Sequence, residues 1–416
     1  MSAENGDVTR RRFLEVGSAA MLAAAAAKVA GGQEAPQPPR SPDHHLPNEQ
    51  NHGPQNPPLE AENPSAVWTT ETDSGTVPPF KYPFGFARKR IESGGWTRQV
   101  TARELPISKT IAGVEMRLTA GGVRELHWHV SAEWAIMLYG NARITAVDTQ
   151  GKSFVSDVGD GDLWLFPPGV PHSIQGLGPN GCQFLLVFDD GNFNEFETFL
   201  LTDWMAHTPR EVLAKNFGVA EGTFDKTPKK ELFIFQTDLP GDLKQEQQQA
   251  AEGTGMVPQR MDFRPNQMKP TKVTRGGEVK IIDARNFPIT PISAAIVKLK
   301  PGGLRELHWH PNADEWQYYI SGKGRMTVFT AGTRARTMNV EAGDVGYILQ
   351  SNPHYVENTG DTELMFLEMF KNPHYEDISL AEWLAHTPAL LVDQHLKVGE
   401  ALLKAIPKEE VVNRPL

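Results

Sequence analysis

From residue 79 onward the chain is punctuated by short β-branched and aromatic runs, each closed by Gly, Pro or Asp. "ARITAVDTQ", "DLWLFPPG", "QFLLVFDD", "AAIVKLKPGG", "GRMTVFTA" and "ELMFLEMF" are of this kind. Alternation of apolar and polar positions within them predicts strands with one face turned inward. Helical spacing appears only in "LTDWMAHTPREVLAKNFGV" (201–219) and "LAEWLAHTPALLVDQHLKV" (380–398), where Thr-Pro supplies a start signal. Short antiparallel strands followed by a helical tail predict an all-β chain of the jelly-roll type, with a short C-terminal helical segment in each copy.

The pattern is written twice. "RELHWHVSAEW" begins at Arg124 and "RELHWHPNADEW" at Arg305; "VGDGDLWLFPPGVPHSIQG" (158–176) is answered by "VEAGDVGYILQSNPHYVEN" (340–358). A period of about 180 residues is far too long for a solenoid unit and marks a duplicated domain. The 416 residues suffice for two full cores. The first domain is placed at 67–240 and the second at 261–416, with a Gln/Glu/Gly-rich connector at 241–260.

The N-terminus reads as an address. Residues 1–32 carry a basic stretch with twin arginines, Arg10 and Arg11, followed by an Ala-rich apolar run. This resembles a twin-arginine export signal and predicts a periplasmic or secreted protein. A general secretory signal and a membrane anchor are the competing readings. The run is short and interrupted by Lys28, which argues against a stable anchor. Residues 33–66 are rich in Pro, Asn and Gln and predict an extended linker, in which His44, His45 and His52 are solvated. A net charge of −10 without a basic cluster in the body argues against nucleic acid as a partner. The single cysteine, Cys182, excludes an intrachain disulfide framework and a thiolate metal cage.

The candidate chemistry lies in the repeated string. His127 and His129 are two apart, so a strand projects both imidazoles to one face; Glu133 follows a short turn, and His172 arrives after a proline-stiffened one. The second copy supplies His308, His310, Glu315 and His354. Three imidazoles and a carboxylate suit Mn²⁺ or Fe²⁺ in roughly octahedral geometry with positions left open, whereas Zn²⁺ more often takes four ligands and closes. His207 and His386, in the repeated "AHTP", stand at helix junctions and read as structural.

These residues carry a family resemblance. "GGVRELHWHVSAEWAIMLYG" (Gly121–Gly140) is similar to the first cupin motif and "GDLWLFPPGVPH" (Gly161–His172) to the second. The second copy matches over Gly302–Gly322 and, with more departures, over Gly343–Asn358, where Leu349 and Ser351 replace the usual Pro and Gly. That replacement predicts a different turn before His354. Over 79–407 the chain resembles the bicupin oxalate decarboxylases.

The resemblance implies two tandem cupin domains that assemble as a homo-oligomer. It implies oxalate as substrate, two Mn²⁺ per chain, and O₂ as an activator that is not consumed, with formate and carbon dioxide as products. It implies a substrate-anchoring role for Arg124 and Arg305. Their spacing from the first histidine would turn them away from the ligands on a regular strand, so such a role requires a bulge; a plain salt bridge is the alternative. It also implies a lid acid within a Ser-Glu-Asn-Ser-Thr pattern. Here the stretch is Asn194-Glu195-Phe196-Glu197-Thr198, so Glu195 takes that position, Phe196 is expected to dry the closed lid, and Glu197 to raise the pKa of Glu195. In the second copy Glu368, within "MFLEMF", reads as a second acid or as a buried partner of Arg305. The rival reactions are oxalate oxidation to peroxide, which needs no proton donor, another small-acid dioxygenase, and metal binding without catalysis.

Overall fold

The structure is a computed structural model that describes residues 56–63, 65, 70–407 and 413–414. The export-signal reading of 1–32, the three histidines at 44, 45 and 52 and most of the 33–66 linker lie outside these residues. The linker span ends in a short helix, Pro57–Glu62. Pro57–Leu416 forms one compact unit.

Each copy of the repeat folds into two antiparallel sheets, as the alternation predicts. In the first copy, Cys182–Phe188 lies between Ala112–Leu118 and Glu133–Gly140, and Leu163–Phe166 flanks the latter. The second sheet runs through Gly122–Trp128, His172–Gly176, Ala142–Val147 and Ser153–Val158. The second copy repeats this plan, with Ser293–Leu299, Leu364–Phe370, Glu315–Ser321 and Asp344–Ile348 in one sheet and Leu304–Trp309, His354–Asn358, Lys323–Thr330 and Arg334–Glu341 in the other.

Period-two burial sorts the side chains between two cores. Ala112, Val114 and Met116 meet Ile144 and Ile174 across the first jelly roll. On the same sheet Trp134, Ile136, Leu165 and Val187 face the opposite way and meet Trp316, Tyr318, Tyr347 and Leu367 of the second. Both faces of these strands are therefore buried, which is why "EWAIMLYG" and "QFLLVF" read as continuous apolar runs. The approach between the two halves is close at Gly113, where a Cβ would meet Trp316 Cζ2 at 2.4 Å. A Gly113→Val substitution is expected to destabilise the chain by about 2–3 kcal/mol through overpacking, read as a lower urea midpoint with an unchanged slope.

The two halves also exchange edge segments. Lys81–Pro83 pairs with Asp344–Ile348, Ser74 bridges to Ala335, and Lys81 forms an ion pair of 2.9 Å with Asp344. The arm that the sequence groups with the first domain thus completes a sheet of the second. In return Asp262–Phe263 pairs with Leu163–Phe166 of the first. These segments lie outside the repeated motifs, so no internal comparison could place them. The 241–260 connector contains a helix, Leu243–Ala250, tied to the first jelly roll by Arg143–Glu246 and by Gln247 donating to the Val155 carbonyl.

Candidate metal centres

His127, the last residue but one of its strand, stands opposite His172, the first residue of the neighbouring one; His308 and His354 are paired in the same way. Glu133 and Glu315 each open the next strand of the other sheet. The donor atoms of His127, His129, Glu133 and His172 lie within 4.8 Å of one another, as do those of His308, His310, Glu315 and His354, and all eight residues are buried. The structure brings together both predicted quartets.

Each imidazole is fixed through Nδ1 on a backbone carbonyl: His127 on Glu125 (2.7 Å), His129 on Ser131 (2.7 Å), His172 on Val170 (2.7 Å), His308 on Glu306 (2.6 Å), His310 on Glu376 (2.8 Å) and His354 on Asn352 (3.0 Å). A carbonyl only accepts, so Nδ1 carries the proton and Nε2 offers its lone pair to the centre. Nε2 of His172, His308, His310 and His354 and Oε2 of Glu315 are buried without a hydrogen-bond partner. Converging lone pairs left without protons fit a divalent cation, and the absence of thiolates fits a harder one.

The electrostatics agree. Burial, reinforced by Arg124, holds His127 well below the ordinary histidine range, and burial with Arg305 does the same to His308. Burial pushes the Glu133 carboxyl up, but His172 and His129 outweigh it and bring it to about 2. Burial also holds His172 down, whereas at His310 burial is outweighed by Glu315 and the shift is upward; a metal ion competes with protons for these nitrogens.

The turn before His354 does not differ from its counterpart, contrary to the sequence expectation. Ser351 adopts φ 64° where Gly169 has φ 74°. Each donates its amide to the equivalent histidine carbonyl, Gly169 to His129 at 2.8 Å and Ser351 to His310 at 3.0 Å. Serine tolerates the left-handed conformation at a cost of about 1–2 kcal/mol.

Both arginines reach the centres because the strands bulge. Between the pairs His172–His127 and Ile174–Arg124 one strand advances two residues and the other three, and the register shifts likewise between Arg305 and His308. The extra residue turns Arg124 and Arg305 to the buried side. In the first centre the Arg124 guanidinium lies 2.9 Å from Glu195 Oε1, donates to Thr198 Oγ1 at 2.8 Å and to the Phe233 carbonyl at 3.3 Å, and stands over the Phe233 ring.

Glu195 lies on a single 3-10 turn, Glu195–Glu197, capped by the Asn194 side chain, with its own amide donating to Gln99 Oε1 at 2.9 Å. The turn is packed inward, and Glu195 is 1% exposed. Burial raises its pKa against the pull of Arg124, and the nearby Glu133 adds to the rise. Glu197, expected to do this, is instead exposed. Phe196 is also turned outward, 40% exposed beside Arg90 and Phe233. The dry wall is formed by Phe193, stacked on Phe188 and edge-on to His129.

The second centre differs at the same place. Arg305 meets Glu368 Oε1 at 3.0 Å and donates to Asp377 Oδ2 at 2.7 Å and to the Tyr375 hydroxyl at 2.7 Å. Glu368 is thus the buried partner of Arg305; burial raises its pKa against that pull. The loop from Phe370 to Leu380 is three residues shorter than the one from Phe188 to Leu201. Tyr375 stands against His310 as Phe193 stands against His129, so the missing residues are those of the Glu195 turn.

Sequence reasoning missed Asp377, although it precedes "LAEWLAHTP" as Thr198 precedes "LTDWMAHTP". It also missed Glu125, a buried carboxylate that accepts from the amides of Thr202, Leu232 and Phe233 and from the Thr202 hydroxyl, pinning the segment after the lid. Removing it as Glu125→Ala takes the acceptor from the Thr202 and Phe233 amides, while Leu232 keeps a 3.1 Å bond to Thr202 Oγ1. A loss of about 3–5 kcal/mol of stability is expected, measured by denaturant unfolding. His207 and His386 sit at helix C-termini and are bonded to carbonyls one turn back, away from both centres.

The duplicated jelly roll with a His₃Glu quartet in each half defines a cupin, and residues 86–225 and 263–401 match the cupin family; the chain belongs to it. It is 52% identical to oxalate decarboxylase OxdC of Bacillus subtilis (strain 168), over 86% of this chain and 92% of that protein. It is 40% identical to a probable oxalate decarboxylase of Arthroderma benhamiae, over 85% of this chain and 87% of that one. A solved structure of the B. subtilis protein, from work on its Mn(II) centres, superposes with a TM-score of 0.87 at 49% identity, covering 91% of this chain and 99% of that one.

Proposed function

We propose that the chain is a manganese-dependent oxalate decarboxylase, converting oxalate to formate and carbon dioxide with O₂ as an activator that is not consumed, and that the first centre carries the turnover. The observation that carries this reading is Glu195: a titratable acid, buried beside the His₃Glu quartet and paired with a guanidinium. The likeness to oxalate decarboxylases over most of the chain supports the substrate.

His127, His129, Glu133 and His172 would hold the first ion and His308, His310, Glu315 and His354 the second. When bound, manganese supplies a Lewis acid that changes oxidation state, the electron sink that an inert C–C bond needs. The chain does the rest. Arg124 anchors a carboxylate of the oxalate monoanion by paired, charge-assisted hydrogen bonds, taking it in exchange for Glu195. Glu195 accepts the acidic proton of oxalate and, once carbon dioxide has left, returns it to the remaining carbon. The monoanion becomes formate and carbon dioxide without net proton uptake. The Phe193–Phe188 wall and the closed lid exclude water meanwhile.

An oxidase reading needs no such donor and is disfavoured by the presence of Glu195. Manganese-loaded protein given oxalate under air at mildly acidic pH is expected to yield formate. Stoichiometric peroxide would transfer the assignment to the oxidase, and neither product would remove oxalate as substrate.

Export to the periplasm or outside the cell is supported by the N-terminal twin-arginine pattern. Self-association is supported by two related apolar patches: Trp128 stacked on Phe199 and edge-on to Trp204, and Trp309 edge-on to Trp383. Trp204 and Trp383 are both exposed on the described chain. An elution volume in size exclusion corresponding to a monomer would contradict the assembly.

A further inference from the structure

We infer that Glu368 and Asp377 form a fixed acidic clamp on Arg305 that denies anionic substrate to the second centre, making these two residues the determinants of which metal site binds oxalate. The two arginines are equivalent in position and differ in what surrounds them. Arg124 has a hydroxyl, a carbonyl and one carboxylate, and that carboxylate, Glu195, sits on the short capped turn of the lid. Arg305 has two carboxylates, and neither belongs to such a turn. Glu368 lies in the middle of Leu364–Phe370, a strand hydrogen-bonded on both sides. Asp377 immediately precedes Ile378–Ser379, which is itself paired with Leu304–Trp309. Tyr375 ties the two acids together, with its hydroxyl 3.3 Å from Glu368 Oε2 and 3.0 Å from Asp377 Oδ2.

The first copy shows what the clamp replaces. Phe188 and Phe370 occupy the same strand position next to their quartets, which sets Leu186 opposite Glu368; Thr198 occupies the place of Asp377. A leucine and a threonine have become two acids around an otherwise identical arginine. A guanidinium matched by two carboxylates has no surplus positive charge to offer an anion, and like-charge juxtaposition in a buried site strongly disfavours entry. Arg305 Nη1 keeps a donor without a partner, enough for a neutral oxygen such as water. Opening the first lid, by contrast, removes the one carboxylate from Arg124 and leaves a buried cation that oxalate can satisfy.

This inference rests on oxalate as the ligand of the first centre, and the test separates the two. Oxalate is titrated calorimetrically, without dioxygen, into protein loaded with manganese at both sites. The wild-type chain is expected to bind one oxalate, with any second event at least about a hundredfold weaker. The E368L/D377T double variant, which restores the residues of the first copy, is expected to bind two of comparable affinity. In the other half, T198D places an acid on Arg124 and is expected to weaken the first event by a similar factor. No binding to wild type overturns the oxalate reading and the clamp with it. Two equal events in wild type, or one event in a folded, doubly loaded E368L/D377T, overturns the clamp alone. Should the double variant fail to fold, an unchanged affinity in T198D overturns it.

Discussion

Replacing Glu195 with Gln is expected to lower formate production by about 10²–10⁴-fold while the fold and the manganese content stay as in wild type. Gln is nearly isosteric and keeps an oxygen toward Arg124, but it cannot accept and return a proton. Small and steady peroxide production in place of formate would be consistent with this loss; undiminished formate would remove Glu195 from the mechanism. The same residue sets a pH dependence. Burial lifts its pKa above the ordinary carboxylate value, so the protonated form persists to higher pH than for an exposed glutamate. Once Glu195 has taken the proton of oxalate it must hold it until carbon dioxide has left, so activity is present below the raised value and declines as pH rises through it. The sign for stability is the same. The folded state binds this proton more tightly than the unfolded chain does, so the contribution is favourable at acidic pH and is lost as pH rises from the ordinary carboxylate range through the raised value. A pH–rate profile whose alkaline limb moves or disappears in E195Q is the measurement.

The second large effect is expected at Arg124. Arg124→Gln removes the charge that anchors oxalate and leaves Glu195 buried without its ion pair. A fall in kcat/KM of about 10²–10³-fold is expected. It should be expressed mainly in KM, because anchoring acts on the bound substrate as well as on the transition state. Its counterpart in the second half should behave differently. Arg305→Gln strips the cation from two buried acids and is expected to lower stability by about 3–5 kcal/mol, with little change in KM. Equal effects of the two substitutions on KM would show that both centres handle substrate.

The two quartets were legible because the chain repeats an unusual density of ligating side chains at strand spacing, which a hydrophobic core has no use for. Glu195 was legible only through the family resemblance, since no periodicity marks one glutamate in a loop. The inward turn of Arg124 depended on a bulge, which is a property of strand pairing and is invisible at the level of residue alternation. The directions of Phe196 and Glu197 were misjudged because a single 3-10 turn sends neighbouring side chains to different sides, one buried and two exposed. Asp377 escaped notice because the three-residue shortening of the second loop shifts the alignment of the copies exactly where the centres diverge. The arm at 70–87 escaped because it belongs to no repeat, and only the sheet it joins reveals its partner.

What everything else depends on is that each half of the molecule grips its own ion. The direct measurement is manganese per chain, by elemental analysis and electron paramagnetic resonance, in wild type and in the single variants His172→Ala and His354→Ala. Two ions in wild type, with each variant losing one and a different spectral component, is the predicted result. A single ion per chain, or one substitution that empties both sites together, would contradict it.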